Sequence, residues 1–250
     1  MKKLLLTLLF SLPLTPPAAS ARQDGGGKPL KLELSAARAS YFVGEPLDLT
    51  FTLANLSQNP LRGSLCMGPE LYNPEVWYRK AGQPKFLLFV GNFPAAADRY
   101  CHPEDLTPQG RKSVDERLLY ATNPAGLLLR EPGTYEFQAR FKLNDAEGTT
   151  LESNVVSVGV RQAPESEGEA LAVWSDPEML DFLQGNEGYV SEGKLKAGMG
   201  KAVGFLRGHG GSIYAAAARK GLRKYLTPRA EGKRLTPEEQ IIFEQLGDEP

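Results

Sequence analysis

Few residues in this chain can do acid–base, nucleophilic or metal chemistry, and those few are scattered. Its 250 residues include two histidines, His102 and His209, and two cysteines, Cys66 and Cys101. Two histidines cannot build a histidine-rich metal site. Neither the G-x-S-x-G elbow of a hydrolase nor the H-E-x-x-H zinc helix occurs. Cys101 and His102 are adjacent, but neighbours in a loop seldom point at each other, so no thiol–imidazole pair is expected. No catalytic residue, metal ligand or cofactor is assigned on these grounds. The stretch 144–148 (Asn-Asp-Ala-Glu-Gly) carries carboxylates, but a calcium loop spreads its oxygens over about twelve residues. A hairpin turn is the expectation there.

The one dense group of like charge is basic. Arg207, His209, Arg219, Lys220, Arg223 and Lys224 form a candidate anion-binding set, continued by Arg229, Lys233 and Arg234. Gly210-Gly211-Ser212 precedes a helix expected over 213–226, whose first N–H groups could receive an anion. The partner implied is an anionic glycan or lipid surface. The competing reading is a solvated helix face whose C-terminal cations suit the helix dipole. Aromatic residues are not interleaved with these charges, so a single-strand nucleic-acid platform is not expected.

The start of the chain gives an address. Lys2 and Lys3, the apolar run 4–14 and the small residues Ala19-Ser20-Ala21 read as a secretory signal peptide cleaved after Ala21. The apolar run is too short and too proline-bounded for a membrane span, and no later stretch is long enough for a transmembrane segment. Removing residues 1–21 removes two lysines and no acids, leaving 27 basic against 30 acidic residues and a net charge of -3. Nucleic acid is therefore not an expected partner. Periplasm or medium is the expected location, and an oxidising compartment favours a Cys66–Cys101 disulfide. Its loop of about 35 residues would contribute roughly 3–4 kcal/mol.

The elements that must position any site fall into two groups. Residues 22–29 are a glycine-rich leader. From residue 30 to 161 apolar side chains alternate at a period of two. Leu30, Leu32 and Leu34 do so first, then Leu47, Leu49, Phe51 and Leu53. Val76-Trp77-Tyr78 and residues 86–90 suggest a hairpin, and Val114, Leu118 and Tyr120 a further strand. Tyr135, Phe137, Ala139 and Phe141 pair with Val156, Val158 and Val160 in the strongest hairpin, over 132–160. Asn55-Leu56-Ser57 matches a glycan acceptor. The long loop 92–110 carries Cys101 and His102. Residues 162–174 read as an acidic linker and 175–250 as helical.

In the helical part, Asp176 and Pro177 start a helix and Thr236-Pro237-Glu238-Glu239 is a capping box. Gly200, Gly204 and Gly208 lie four apart on a helix expected from about 192–194 to 207. They predict close packing against Ala215 to Ala218.

The run 41–55 (YFVGEPLDLTFTLAN) resembles the second strand of bacterial extracytoplasmic Ig-like domains, where a G-E-P turn precedes the strand and an asparagine ends it. Glu131-Pro132-Gly133-Thr134-Tyr135 is similar to the approach to their penultimate strand, and Ser153-Asn154-Val155-Val156 to their final one. The similarity to Ig-like proteinase-inhibitor domains is fainter, and no inhibitory residue carries over. Ser212 to Ala218 resembles the start of tetratricopeptide-type helical hairpins. The resemblance, over residues 30–161, implies an all-β Ig-like sandwich followed by a small α-helical region. Its implied role is an exported, non-enzymatic binding or assembly module of the cell envelope, with an envelope protein as one partner class. The alternative is an envelope hydrolase or proteinase inhibitor using the loop 92–110.

Overall fold

Period-two alternation and helical capping both persist in the computed structural model, which describes residues 30–65, 74–90, 104–122, 125–143, 149–184, 192–232 and 235–246. The signal peptide and leader, Cys66, Cys101, His102, the turn 144–148, most of the loop 92–110 and the basic pair Lys233 and Arg234 lie outside them.

The described strands are β1 (Leu30–Ala36), β2 (Ser40–Phe42), β3 (Leu47–Asn55), β4 (Leu61–Leu65), β5 (Glu75–Lys80), β6 (Leu87–Leu88), β7 (Glu104–Leu106), β8 (Arg111–Leu118), β9 (Tyr120–Thr122), β10 (Ala125–Leu127), β11 (Gly133–Lys142), β12 (Thr150–Glu152) and β13 (Val156–Arg161). The helices are α1 (Gly168–Trp174), α2 (Pro177–Leu183), α3 (Glu192–His209), α4 (Ala215–Gly232) and α5 (Pro237–Gln245).

One sheet runs β1-β3-β8, and a larger one runs β2-β13-β11-β5-β6 with β12 beside β11. The two face each other across one apolar core. Leu32, Leu34, Leu49, Phe51 and Leu53 fill it from one side, and Val76, Phe137, Ala139, Phe141 and Val158 from the other. Asn154 stitches the layers together: its Oδ1 accepts from Leu34 N and its Nδ2 donates to Leu34 O, both at 2.9 Å. Tyr135 packs back on the entry to β11, its hydroxyl donating to Glu131 O at 3.2 Å.

The expectation of an all-β sandwich with a small helical appendage is overturned. Among the described residues, five α-helices hold nearly as many residues as the strands, and the larger sheet is mixed because β13 pairs with β2 in parallel. The helices also have a core of their own. Trp174, Met179, Leu180, Phe205, Tyr214, Ala218 and Leu222 fill it, and Leu119, just past β8, joins it. The architecture is therefore mixed α and β, with a helical layer packed against the strands.

The Gly44-Glu45-Pro46 turn holds the two parts together. Trp174 Nε1 donates to Gly44 O at 2.8 Å and the Tyr214 hydroxyl to Val43 O at 2.7 Å. Burial, with the Glu167 and Glu45 charges nearby, pushes the Tyr214 hydroxyl up to about 12. Gly44 has φ +83°, and a Cβ there would come within 2.7 Å of Leu171 Cδ1. Glycine is thus required by both conformation and space.

The stretch 162–174, expected as an acidic linker, carries secondary structure. Glu165–Glu167 is a 3-10 turn and α1 follows, with Ala170 and Trp174 buried. The acidic composition describes only the outer face; Ala170, Leu171 and Trp174 form an inner stripe at helical spacing. Limited proteolysis of the folded protein should leave 162–174 intact under native conditions, and early cleavage there, read by fragment masses, would contradict the docking.

Other local expectations fare unevenly. Asp176 caps α2, accepting from Glu178 N and Met179 N, and Lys201 of α3 reaches it at 2.7 Å. The Thr236–Glu239 capping box is present at α5. Gly200, Gly204 and Gly208 open onto free space instead of Ala215 to Ala218; the close approaches are Gly198 to Phe182 and Gly221 to Leu183. Asn55 is buried, its Nδ2 directed at the carbonyls of Asn59, Leu106 and Thr107. An amide so enclosed does not suit the glycan-acceptor reading. No described helix is long and apolar enough to cross a membrane.

Candidate functional site

The six residues of the candidate anion-binding set do not meet in one place. On α4, Arg219 and Arg223 lie four apart on one side, and Lys220 and Lys224 lie one position on, about 100° around the helix. Arg219 donates to Gly210 O at 3.0 Å and Arg223 to Leu246 O at 2.6 Å, so both serve carbonyls at chain reversals or helix ends. Arg207 and Arg219 rim a groove of about 200 Å³ floored by Val203, Leu206, Leu222, Ile242 and Leu246. His209 packs on Phe205, ring centroids 5.4 Å apart. The chain's own Glu167 stands beside the residues before α4, accepting from the Ser212 hydroxyl at 2.6 Å.

Lys220 and Lys224 face elsewhere. They line a cleft of about 300 Å³ between the β1-β3-β8 sheet and the helices, together with Asp48, Asp115, Glu116, Arg117, Leu183, Gln184 and Gly221. The strand register explains its chemistry. Asp48 stands opposite Arg117 and Thr50 opposite Asp115, while Leu49 stands opposite Glu116 and Leu47 opposite Leu118. Side chains alternate faces along a strand, so Glu116 occupies a position on the apolar face. It does so on β8, the edge of its sheet, where the helices α2 and α4 come up against it.

Most acceptors in the cleft are already used. Both Asp48 oxygens take hydrogen bonds from Arg117, at 2.7 and 3.0 Å. Asp115 Oδ1 accepts from the Thr50 hydroxyl at 2.6 Å. Glu116 differs. It is 8% exposed and its carboxyl accepts no hydrogen bond among the described residues. Burial pushes its carboxyl from 4.5 up to about 7, against the opposing pull of the Lys224 charge.

Donors remain open. Gln184, just past α2, is 7% exposed; its Oε1 accepts from Tyr120 N at 2.7 Å, which fixes the amide orientation. Its Nε2 is then left buried with no partner. Such a group costs about 1–3 kcal/mol unless something meets it. Lys220 and Lys224 are exposed at the rim and form no ion pair among the described residues.

Sequence reasoning reached Lys220 and Lys224 and missed Glu116, Gln184 and the Asp48–Arg117 pair. One signal was available. In Val114-x-Glu116-x-Leu118-x-Tyr120 a carboxyl takes an inward position in an otherwise apolar alternation. Gln184 carried no local signal, because its significance comes from Tyr120, 64 residues earlier.

No family model and no curated protein matches the chain. Among solved structures, an alkylpurine DNA glycosylase AlkC from Pseudomonas fluorescens, bound to DNA with an abasic site analog, is 14% identical with TM-score 0.29, covering 54% of this chain and 31% of that one. A β-glucosidase from Listeria innocua in complex with isofagomine is 14% identical with TM-score 0.31, covering 54% and 16%. The CARDB domain of a Pyrococcus furiosus protein is 13% identical with TM-score 0.29, covering 53% and 94%. This chain thus spans under a third of the glycosylase and under a fifth of the glucosidase. Likenesses this low carry no argument about activity, and the functional reading rests on the cleft.

Proposed function

We propose that the protein is an exported, non-enzymatic binding module of the cell envelope and that its ligand seat is the cleft between the β1-β3-β8 sheet and the helical layer. The observation that carries this reading is the unpartnered Nε2 of Gln184, held in place by Tyr120 and lining a cleft with Lys220 and Lys224 at its rim, which form no ion pair among the described residues. A buried donor without a partner is uncommon in a native fold and marks a place where a partner, water or ligand, belongs. The cleft draws its walls from both layers, so the sheet and the helices act as one binding unit. A role at the envelope follows from the export signal expected at residues 1–21.

Native mass spectrometry of the protein recovered from its own envelope fraction tests this. The wild-type chain should carry a small-molecule adduct that a Lys220→Glu/Lys224→Glu double variant lacks. An adduct of equal occupancy in the variant, or none in the wild type, would overturn the assignment of the cleft.

A further inference from the structure

Resting on that assignment, we propose that the cleft binds a small monocarboxylate and that Glu116 takes up a proton from solvent when it does so. The open donors point to the ligand class. The acceptors of Asp48 are engaged by Arg117 and one oxygen of Asp115 by Thr50. Besides the Glu116 carboxyl and the second Asp115 oxygen, what remains to be satisfied is a set of donors: Gln184 Nε2 and the ammonium groups of Lys220 and Lys224. A ligand that completes them must bring acceptor oxygens.

The charge count selects one negative charge. The charged groups that line the cleft with Glu116 are Asp115 and Arg117, its neighbours on β8, Asp48 on β3, and Lys220 and Lys224 on α4; Leu183 and Gln184, at the end of α2, are neutral. Three positive against two negative charges leave one positive when Glu116 is protonated, and none when it is ionised. A monoanion is therefore matched by the protonated cleft. A phosphate dianion would leave an excess negative charge beside the buried Glu116.

The proton follows from the same geometry. A carboxylate lodged beside the buried Glu116 carboxylate would place two like charges in one small, partly dry space, which neither tolerates well. Binding is relieved of this when one proton moves from solvent onto a Glu116 oxygen, forming an O–H that can donate to the ligand. No other bond changes. Linkage then sets the sign: affinity is highest where Glu116 is already protonated and falls as pH rises through about 7, by up to about tenfold per pH unit.

The experiment is isothermal titration of the full mature protein with acetate and lactate, and with inorganic phosphate and methylammonium as contrasts, across pH 6 to 8.5 in buffers of different ionisation enthalpy. Acetate or lactate should bind more weakly as pH rises, with buffer-dependent heats that report proton uptake. In Glu116→Gln, which keeps the shape and cannot ionise, the pH dependence should vanish while binding at high pH is retained. Lys224→Ala, an exposed change that leaves the fold intact, should weaken carboxylate binding at every pH.

Tighter binding of phosphate than of either carboxylate would overturn the monocarboxylate class. So would methylammonium binding that strengthens as pH rises, or no binding by any probe. The adduct comparison between wild type and the lysine double variant is independent of these probes. It would still decide whether the cleft is the ligand seat.

Discussion

Trp174→Ala should cost about 4 kcal/mol or more of folding stability, a loss typical of a large aromatic removed from a close-packed core. Trp174 is fully buried, stacked on Tyr214 and tilted against Phe205, with both ring centroids at 5.4 Å. Its indole N–H also satisfies Gly44 O across the junction of the two parts. Truncation therefore opens a cavity and strips a buried carbonyl of its donor, and the two penalties add. Trp174→Phe separates them, because it keeps most of the packing and loses the hydrogen bond; about 1–2 kcal/mol is expected for it.

The effect should be visible as a change in the form of unfolding as well as in its midpoint. The strands and the helices have distinct apolar cores. Once Trp174 no longer joins them, urea titration followed by tryptophan-independent probes should show the helical layer melting first, with cleavage in 162–174 appearing at low denaturant. A single transition displaced by less than about 1 kcal/mol would mean that the junction depends on other contacts.

The features that were legible in the sequence are those whose cause is local. Tyr135, Phe137, Ala139 and Phe141 announced β11 because alternation is a property of consecutive residues, and Phe137, Ala139 and Phe141 are fully buried. Thr236 and Glu239 announced the start of α5 because both ends of the capping box lie within one turn. The parallel pairing of β2 with β13 was not legible, since its partners are separated by about 120 residues. Nothing near Ser40 specifies a neighbour at Gly159.

The same reason explains the misread junction. Gly44-Glu45-Pro46 was seen as a turn before a strand, which it is, but its role as the docking point for Trp174 and Tyr214 depends on residues 130 and 171 positions away. The glycine stripe on α3 failed for a related reason. Spacing four apart identifies one face of a helix without saying which face meets a neighbour. The approach fell instead at Gly198, whose Cβ would sit 2.5 Å from Phe182 Cβ. Of the site, the lysines were legible from charge, and Glu116 was visible only as a break in an apolar alternation.

Glu116 should make the protein less stable at neutral and alkaline pH than it would be without a carboxyl there. Its carboxyl titrates near 7 in the fold, against 4.5 for the ordinary group, chiefly because burial disfavours the charge. Below about pH 4.5 both folded and unfolded chains hold this proton, and the residue is neutral in its effect. Between about 4.5 and 7 the unfolded chain releases the proton and the folded chain keeps it, so stability falls as pH rises. Above about 7 both are ionised and the full penalty of about 3 kcal/mol is in place.

Glu116→Gln removes the titration and keeps the volume. The variant should match the wild type in urea unfolding at pH 4.5 and exceed it by about 2–3 kcal/mol at pH 8. Comparing the two proteins cancels the carboxylates held low by neighbours, such as Glu33 beside Lys31 and Asp176 beside Lys201. Parallel stability curves would mean that Glu116 ionises freely in a hydrated cleft, and the proton uptake argued for the ligand would go with it. A gain confined to high pH would identify a side chain whose charge the fold alone does not favour. Destabilised groups of this kind persist at sites that use them. The stability difference and the pH dependence of carboxylate binding should then share one midpoint, because both report the same proton.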